Sequence, residues 1–282
     1  MAAPTGIIIT MVGKRIERCL LTILLAVACS SCADLFDVHP YAVDFDGETN
    51  VNLHQAELIE RNCFDKDTLR VAVFSDTQGH YDELEDLVKD INNRGNIDFA
   101  VHGGDVSNYG ATREFVQQHD ILDRLDVPYV VVLGNHDCLG TGIETYHKMF
   151  GPSNFSFIAG RVKFVCLNTN ALEYDFTDPI PDFDFLNTEL QADASRYDRT
   201  VFCMHAPPLC EQFNNEVLQA FHHYLSLFPG VLFCTAGHLH KNDCFSPLDD
   251  GITYYVTDSA NHRNYILFTI TPNGYEAENI HY

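Results

Sequence analysis

Three glycine-containing turns, each carrying polar side chains at the end of an apolar run, constrain this sequence more than any other feature. The turns are Gly103-Gly104-Asp105, Gly134-Asn135-His136-Asp137 and Gly237-His238-Leu239-His240. The apolar runs before them are residues 97–101, 128–133 and 231–235. Because an open α/β sheet presents ligands and catalytic groups at the carboxyl ends of its strands, we expect the turns to lie at one edge. They supply carboxylate, amide and imidazole groups, which are the ligands that divalent metals take.

The chain from residue 69 onward alternates predicted strands with predicted helices. A strand over 69–74 ends in Ser75-Asp76-Thr77-Gln78-Gly79, and a helix closed by Gly95 follows. The β-α-β-α-β order up to the third strand predicts a parallel sheet with right-handed crossovers. Further helices are predicted over 112–125, 182–195 and 211–228, and further strands over 155–159, 161–167 and 200–204. Strands over 252–257, 265–271 and 275–281 suggest a meander in a second sheet. Two sheets with helices outside make one α/β domain, which we place at residues 68–282.

The charge of the chain argues against nucleic acid as a partner. The 282 residues include 17 basic and 40 acidic side chains, and the net charge is −23 with His neutral. Proteins that bind nucleic acid non-specifically rely on Lys and Arg to neutralise phosphates, so this surface is expected to repel polyanions. A small phosphate ester remains compatible with the composition.

The N-terminus has the pattern of an export signal. Lys14, Arg15 and Arg18 precede an apolar stretch over 20–28 that is too short to span a bilayer. The stretch ends at Cys29 and resembles a bacterial lipobox, so we predict a signal segment over 1–28 and a lipid anchor at Cys29. Cys32 is a second candidate, and ordinary cleavage with a soluble periplasmic product is the alternative. Residues 29–67 are predicted to be an acidic tether followed by a short helix over 53–61 with Asn52 as its N-cap.

Five polar elements follow one another in a family-specific order. They are Asp76-x-Gln78, Gly104-Asp105, Gly134-Asn135-His136-Asp137, His205 and Gly237-His238-x-His240. The series, which covers residues 69–282, resembles that of the calcineurin-like metallophosphoesterases. The resemblance implies a four-layer sandwich of two mixed β-sheets flanked by helices, and a centre of two divalent metal ions, Mn, Fe, Zn or Mg.

The resemblance also implies a role for each matching residue. Asp105 would bridge both metals. Asp76, Gln78 and His240 would complete the first site, and Asn135, His205 and His238 the second. Two metals that share a carboxylate can hold a bridging hydroxide and stabilise the attacking and leaving oxygens of an in-line displacement. His136 would be the general acid that protonates the leaving alkoxide, and Asp137 is expected to hold its ring.

Gln78 departs from the family pattern, which usually has His at this position. An amide oxygen is a harder and weaker ligand than imidazole, so Gln78 favours Mn or Mg over softer ions and lowers the expected occupancy of the first site. His80 is a less suitable substitute, because its spacing from Asp76 places it off the same strand face.

The remaining candidate residues are interpreted as structural. His102 is predicted to be a hydrogen-bonded core residue, and His222 and His223 to be surface or flank residues of a helix. Asn108 is expected to close the turn after Asp105, with an approach to the substrate as the alternative. His262 is a minor candidate for the cleft. Cys166, Cys203 and Cys234 are expected to be buried, whereas Cys63, Cys138, Cys210 and Cys244 flank turns and are candidates for disulfides.

The sequence therefore predicts an exported, metal-dependent hydrolase of a small phosphate monoester or diester. One alternative is a non-catalytic binding module on the same fold, in which Gln78 leaves the first site incomplete. A second alternative is a nuclease, which the negative charge disfavours.

Overall fold

Helices and strands alternate along the chain in the computed structural model, which describes residues 42–282. The helices are α1 Val51–Cys63, α2 Tyr81–Arg94, α3 Thr112–Leu122, α4 Gly142–Met149, α5 Phe183–Gln191 and α6 Leu218–Ser226. The first strands are β1 Leu69–Phe74, β2 Phe99–His102, β3 Tyr129–Val131, β4 Phe155–Ala159, β5 Val162–Leu167 and β6 Arg199–Met204. The remaining strands are β7 Val231–Ala236, β8 Asp243–Phe245, β9 Tyr254–Val256, β10 Asn264–Thr271 and β11 Gly274–His281.

The strands form two mixed sheets, as predicted. The first has the order β11-β10-β1-β2-β3, in which β1, β2 and β3 are parallel. The second has the order β4-β5-β6-β7-β9-β8, in which β5, β6, β7 and β9 are parallel. Parallel strands end at the same edge of a sheet. The turns after β1, β2 and β3 therefore meet at one edge of the first sheet, and the turns after β6 and β7 meet at one edge of the second sheet.

Packing of apolar side chains gives the four layers. A central core joins the two sheets, with Val71 and Phe268 from the first sheet packed with Phe164 and Phe233 from the second. Helices α2, α3 and α4 cover the outer face of the first sheet. Helices α5 and α6 cover the outer face of the second. The predicted fold class is thereby confirmed.

The C-terminal strands differ from the predicted meander. Strand β9 pairs in parallel with β7 in the second sheet, whereas β10 pairs with β1 in the first and β11 pairs with β10. The predicted strand over 252–257 and its two successors therefore belong to different sheets. Strand order depends on partners that are remote in sequence, and an apolar pattern does not identify them.

The helix before the first strand differs from the prediction in how it begins. Helix α1 starts at Val51 after Asn50, so Asn52 lies inside the helix and is not its N-cap. The buried Asn52 side chain instead bonds to both the N–H and the carbonyl of Val131, which ties the helix to β3. The compact unit begins at Val43 and includes this helix.

Two predictions on cysteines have different outcomes. The three strand cysteines, Cys166, Cys203 and Cys234, are buried as predicted. Within the described residues the four disulfide candidates, Cys63, Cys138, Cys210 and Cys244, are unpaired thiols.

The predicted export segment lies outside the part of the chain that the structure describes. This applies to the signal segment over 1–28, to Cys29 and Cys32, and to the tether up to residue 41. Between residues 42 and 282, none of the helices is long and apolar enough to cross a membrane.

Candidate metal centre

The first group of predicted ligands comes together where β1 and β7 end. Oδ1 of Asp76 lies 3.1 Å from Nε2 of His240. The two atoms do not have hydrogen-bond geometry, and Oδ1 has no hydrogen-bond partner among the described residues. Gln78 lies beside them, and its Nε2 donates to Oδ2 of Asp105 at 3.4 Å. Oε1 of Gln78 is buried and unpartnered in the described part of the chain.

The second group shares Asp105 with the first. Nε2 of His205 lies 3.3 Å from Oδ2 of Asp105 and 3.0 Å from Oδ1 of Asn135. Nδ1 of His238 lies 3.0 Å from the same Asn135 oxygen. Nδ1 of His205 donates to the carbonyl of Gly103 at 2.9 Å, which leaves Nε2 as the ring nitrogen that faces Asp105.

The backbone of the site is held in an uncommon conformation. Asp76, Asp105, His238 and His240 all have left-handed φ angles, of 54°, 62°, 69° and 48°. Non-glycine residues rarely adopt this region, and such strain clusters at functional sites. A Cβ at Gly134 would clash with the backbone nitrogen and Oδ1 of Asp105, so the turns approach closely only because glycine is present.

Asp137 was expected to hold the ring of His136, and this prediction is wrong. Asp137 instead organises the turns of the site. Its buried carboxylate accepts hydrogen bonds from the backbone N–H groups of Asp105, Val106, Ser107 and Gly134, and from the hydroxyl of Ser107. The carboxylate therefore satisfies donors from two turns, and its oxygens are fully used there. Burial raises the pKa of Asp137 to about 6, with a further contribution from Asp105.

His136 is fixed by the main chain. Its backbone N–H donates to Oδ1 of Asp105 at 2.9 Å. Nδ1 of its ring lies 3.0 Å from the carbonyl oxygen of Asn108, which accepts the Nδ1 proton. Nε2 is then the nitrogen available for proton transfer, and the predicted turn residue Asn108 acts through its backbone.

The electrostatics of the site favour added positive charge. Burial disfavours the charged form of His205, but the carboxylates of Asp105 and Asp76 outweigh burial and raise its pKa to about 9. Burial also opposes ionisation of Asp76, yet the contacts with His240 and His205 lower its pKa. Burial and the neighbouring His205 lower the pKa of His238. The carboxylates thus stabilise a cation at the point where the two groups meet.

The oxygen and nitrogen atoms that converge in the site are suited to bind two divalent cations. Asp76, Asp105 and His205 offer ligand atoms that all lie within 4.8 Å of one another. The unpartnered oxygens of Asp76 and Gln78 are costly to bury without a cation or hydrogen bond. A site of carboxylate and amide oxygens with imidazole nitrogens suits Mn, Fe or Zn, with Mg more suited to its oxygen-rich part.

The other histidines have mixed outcomes. His102 is fully buried and its Nε2 lies 2.8 Å from the hydroxyl of Thr77, so the core prediction is confirmed. His262 is exposed beside Asp258, and His80 lies near Glu83.

His222, predicted to be a surface or flank residue of its helix, does not lie at the surface. It is buried, with Nδ1 2.6 Å from Asp250 and Nε2 3.1 Å from the hydroxyl of Tyr254. The predicted helix over 211–228 begins only at Leu218, because a loop and a short 3₁₀ turn replace its first part.

Glu211, in that loop, was not identified from the sequence. Its carboxylate lies 3.3 Å from Nε2 of His238, the ring nitrogen opposite Asn135. A carboxylate at this position orients a ligating imidazole. Glu211, Cys210 and His238 also form a second group that could hold a cation. In the sequence, the one feature that could have indicated a role for Glu211 is its position shortly after His205.

Comparison with a family model gives one match, over residues 69–242, to the family described as calcineurin-like phosphoesterase. The matched segment contains all of the predicted ligands. Comparison with curated proteins gives no match.

Several solved structures share the fold. A dimetal phosphatase from Danio rerio is 16% identical with a TM-score of 0.58, over 76% of this chain and 99% of that one. GAP50, the anchor in the inner membrane complex of Plasmodium, is 13% identical with a TM-score of 0.59, over 77% and 85%. The purple acid phosphatase PPD1 from yellow lupin seeds is 14% identical with a TM-score of 0.55, over 72% and 49%. At these identities the likeness establishes the fold alone.

Proposed function

The chain belongs to the calcineurin-like phosphoesterase family, and on that premise we propose that it hydrolyses small organic phosphate monoesters or diesters with two divalent metal ions. The observation that carries the proposal is the convergence of Asp105 with ligands from both sheets. Asp105 Oδ2 lies 3.3 Å from Nε2 of His205 and accepts from Gln78 at 3.4 Å. One carboxylate placed between two sets of donors is suited to serve two cations.

The proposed ligands fall into two groups, according to the contacts that their side chains make. Asp76, Gln78 and His240 would hold one ion, and Asn135, His205 and His238 the other, with Asp105 shared. When bound, the two ions supply Lewis-acid stabilisation of the phosphoryl oxygens and activation of water.

The proposed task of His136 is to protonate the leaving group. Hydrolysis forms a bond between phosphorus and the water oxygen and breaks the bond between phosphorus and the alcohol oxygen. The proton on Nε2 of His136 passes to that alcohol oxygen, while the carbonyl of Asn108 holds the ring through Nδ1. The attacking water loses a proton as it bonds to phosphorus, and a proton from solvent restores His136, so that no net proton is consumed from the protein. Asp137 contributes by fixing the two turns that carry Asp105 and His136.

The test is an assay of the full chain loaded with Mn²⁺ on 4-nitrophenyl phosphate and bis(4-nitrophenyl) phosphate. We expect activity on at least one ester and a loss of about 10²–10³-fold in kcat in Asp105→Ala, the magnitude typical of removing charge stabilisation from an active site. His281→Ala, an exposed histidine at the end of β11, is the matched control and should keep wild-type activity. Protein that is inert on both esters in the presence of Mn²⁺ would instead favour the non-catalytic binding module with an incomplete first metal site, in which Gln78 donates to Asp105.

We also propose that the chain is exported to the periplasm or outer membrane of a bacterium and anchored by lipid at Cys29. The basis is the basic and apolar pattern before Cys29. Fractionation of cells grown with labelled palmitate tests this proposal. Label and membrane association should be lost in Cys29→Ser, whereas label retained in Cys29→Ser and lost in Cys32→Ser would move the anchor to Cys32.

A further inference from the structure

Large apolar side chains are exposed on the loops around the candidate metal centre. Among the described residues, eight large apolar side chains are exposed, and five of them lie on loops at the carboxyl ends of β2, β3, β5 and β6. These five are Tyr109, Leu139, Leu172, Phe176 and Leu209. Exposed apolar side chains concentrated around one site indicate a binding surface.

Tyr109 and Leu139 lie on two loops whose backbones contact His136. The carbonyl of Asn108, next to Tyr109, accepts the Nδ1 proton of His136. The backbone N–H of Leu139 donates to the carbonyl of His136 at 3.3 Å. The two loops are in contact, because a Cβ at Gly110 would clash with the carbonyl of Leu139. Both apolar side chains therefore belong to segments that touch the proposed general acid.

Leu172 and Leu209 lie on the segments next to the second group of ligands. Leu209 has a strained φ of 75° and 62% of its surface is exposed, two residues before Glu211, which contacts His238. The N–H of Leu172 donates to the carbonyl of Gln212 at 3.2 Å, so the two loops pack together. An exposed leucine in a left-handed conformation costs free energy without packing in return, which is a feature of binding loops.

The charge on these loops disfavours a second anionic group. Residues 106–112, 134–141, 168–182 and 205–217 contain no Lys or Arg. They contain Asp137, Glu173, Asp175, Asp178, Asp182, Glu211 and Glu216. A phosphate or carboxylate on the leaving group would meet acidic side chains here and no Lys or Arg of these loops.

We infer that the Tyr109, Leu139, Leu172 and Leu209 side chains bind the apolar alcohol portion of the phosphate ester, so that the substrate is the ester of an uncharged, hydrophobic alcohol. This inference rests on the proposed function, because His136 must protonate the alcohol that these side chains hold. Transfer of methylene groups from water to apolar side chains then lowers KM or raises kcat as the alcohol lengthens.

The experiment compares ethyl and n-hexyl phosphate, whose leaving alcohols have nearly equal acidity. The Mn²⁺-loaded full chain is assayed by gas chromatography of the released alcohol. The diesters methyl ethyl phosphate and methyl n-hexyl phosphate are assayed in the same way, and the hexyl esters are kept below their critical micelle concentration. We expect kcat/KM for hexyl to exceed that for ethyl about tenfold or more in wild type. In Tyr109→Ser/Leu209→Ser the ratio should fall to about two or less. Leu53→Ser, at an exposed leucine on helix α1, should leave the ratio unchanged.

The outcomes separate this inference from the proposed function. If wild type releases no alcohol from the alkyl esters and no 4-nitrophenol from either chromogenic ester, both are wrong. Activity on a chromogenic ester without release of alcohol from any alkyl ester overturns the inference alone. Equal kcat/KM for ethyl and hexyl esters in active wild type overturns the inference and leaves phosphoesterase activity intact. An equal ratio together with sedimentation of wild type, but not of the double variant, on phosphatidylcholine vesicles would assign the apolar side chains to a membrane surface instead.

Discussion

Nε2 of His205 lies 3.3 Å from Oδ2 of Asp105, although the two residues follow strands of different sheets. Asp105 follows β2 of the first sheet and His205 follows β6 of the second. The contact exists only because the central apolar core holds the carboxyl ends of both sheets together. Metal binding and the packing of the two sheets are therefore expected to be linked, since a ligand that binds the folded state stabilises it.

Replacing His136 should separate chemistry from metal binding. In His136→Asn we expect kcat on an alkyl phosphate to fall by about 10²–10⁴, because the alkoxide then leaves without a proton. The loss should be much smaller on a 4-nitrophenyl ester, whose leaving group needs no proton. Metal content should be unchanged, since among the described residues the hydrogen bond of the His136 ring is to the carbonyl of Asn108 and not to a proposed ligand side chain. Equal losses on both esters would rule out a general acid at this position.

Replacing Asp137 should act mainly on stability. An amide has one acceptor oxygen, so Asp137→Asn cannot satisfy the four backbone N–H groups and the Ser107 hydroxyl that the carboxylate holds. The expected loss is about 3 kcal/mol in the free energy of unfolding, since hydrogen bonds to a charged group are worth about 1.5–3 kcal/mol each. Urea denaturation measures it, with the exposed Asp65→Asn as control. A loss below about 1 kcal/mol would contradict the organising role.

Replacing Gln78 tests its effect on the first site. Gln78→His supplies an imidazole beside Asp76 and His240, and imidazole is a better ligand than an amide for Zn²⁺. We expect the weaker of two Zn²⁺ dissociation constants to fall about tenfold, measured by competition with a chelating dye, and the stronger one to change little. A change in the stronger constant alone would place Gln78 outside the first site.

Acid should destabilise the fold through His102. Burial lowers the pKa of His102 to about 3, a shift that the nearby Asp76 opposes but does not cancel. Between pH 6.5 and 3 the unfolded chain binds a proton that the folded chain does not. Stability from this group is therefore complete above pH 6.5 and falls by about 1.4 kcal/mol per pH unit on acidification. In His102→Gln the unfolding free energy, measured in urea, should depend less steeply on pH over this window. An unchanged slope would show that other groups cause the acid sensitivity.

The parts of the site that were predictable from the sequence are those with a local signature. Asp76 and Gln78, and again His238 and His240, lie two apart after an apolar run, so each pair is marked by its own segment. The role of Asp137 was not predictable, because its partners are backbone N–H groups of another turn. Those contacts depend on how closely the turns approach, which no side-chain pattern records.

The same distinction holds for the fold. The parallel order of β1, β2 and β3 follows from the short crossovers between them. The placement of β9 beside β7, and of β10 beside β1, depends on long-range pairing. The apolar pattern of residues 252–257 fits either sheet, so the sequence did not determine the partner.

The measurement that tests the central claim most directly is the number of Mn²⁺ ions bound per chain, determined by equilibrium dialysis and elemental analysis. We predict two ions in wild type and fewer than one in Asp105→Ala, because Asp105 is the ligand common to both groups. His281→Ala should bind two. Wild type that binds no Mn²⁺, or an Asp105→Ala variant that still binds two, would contradict a dinuclear centre built around Asp105.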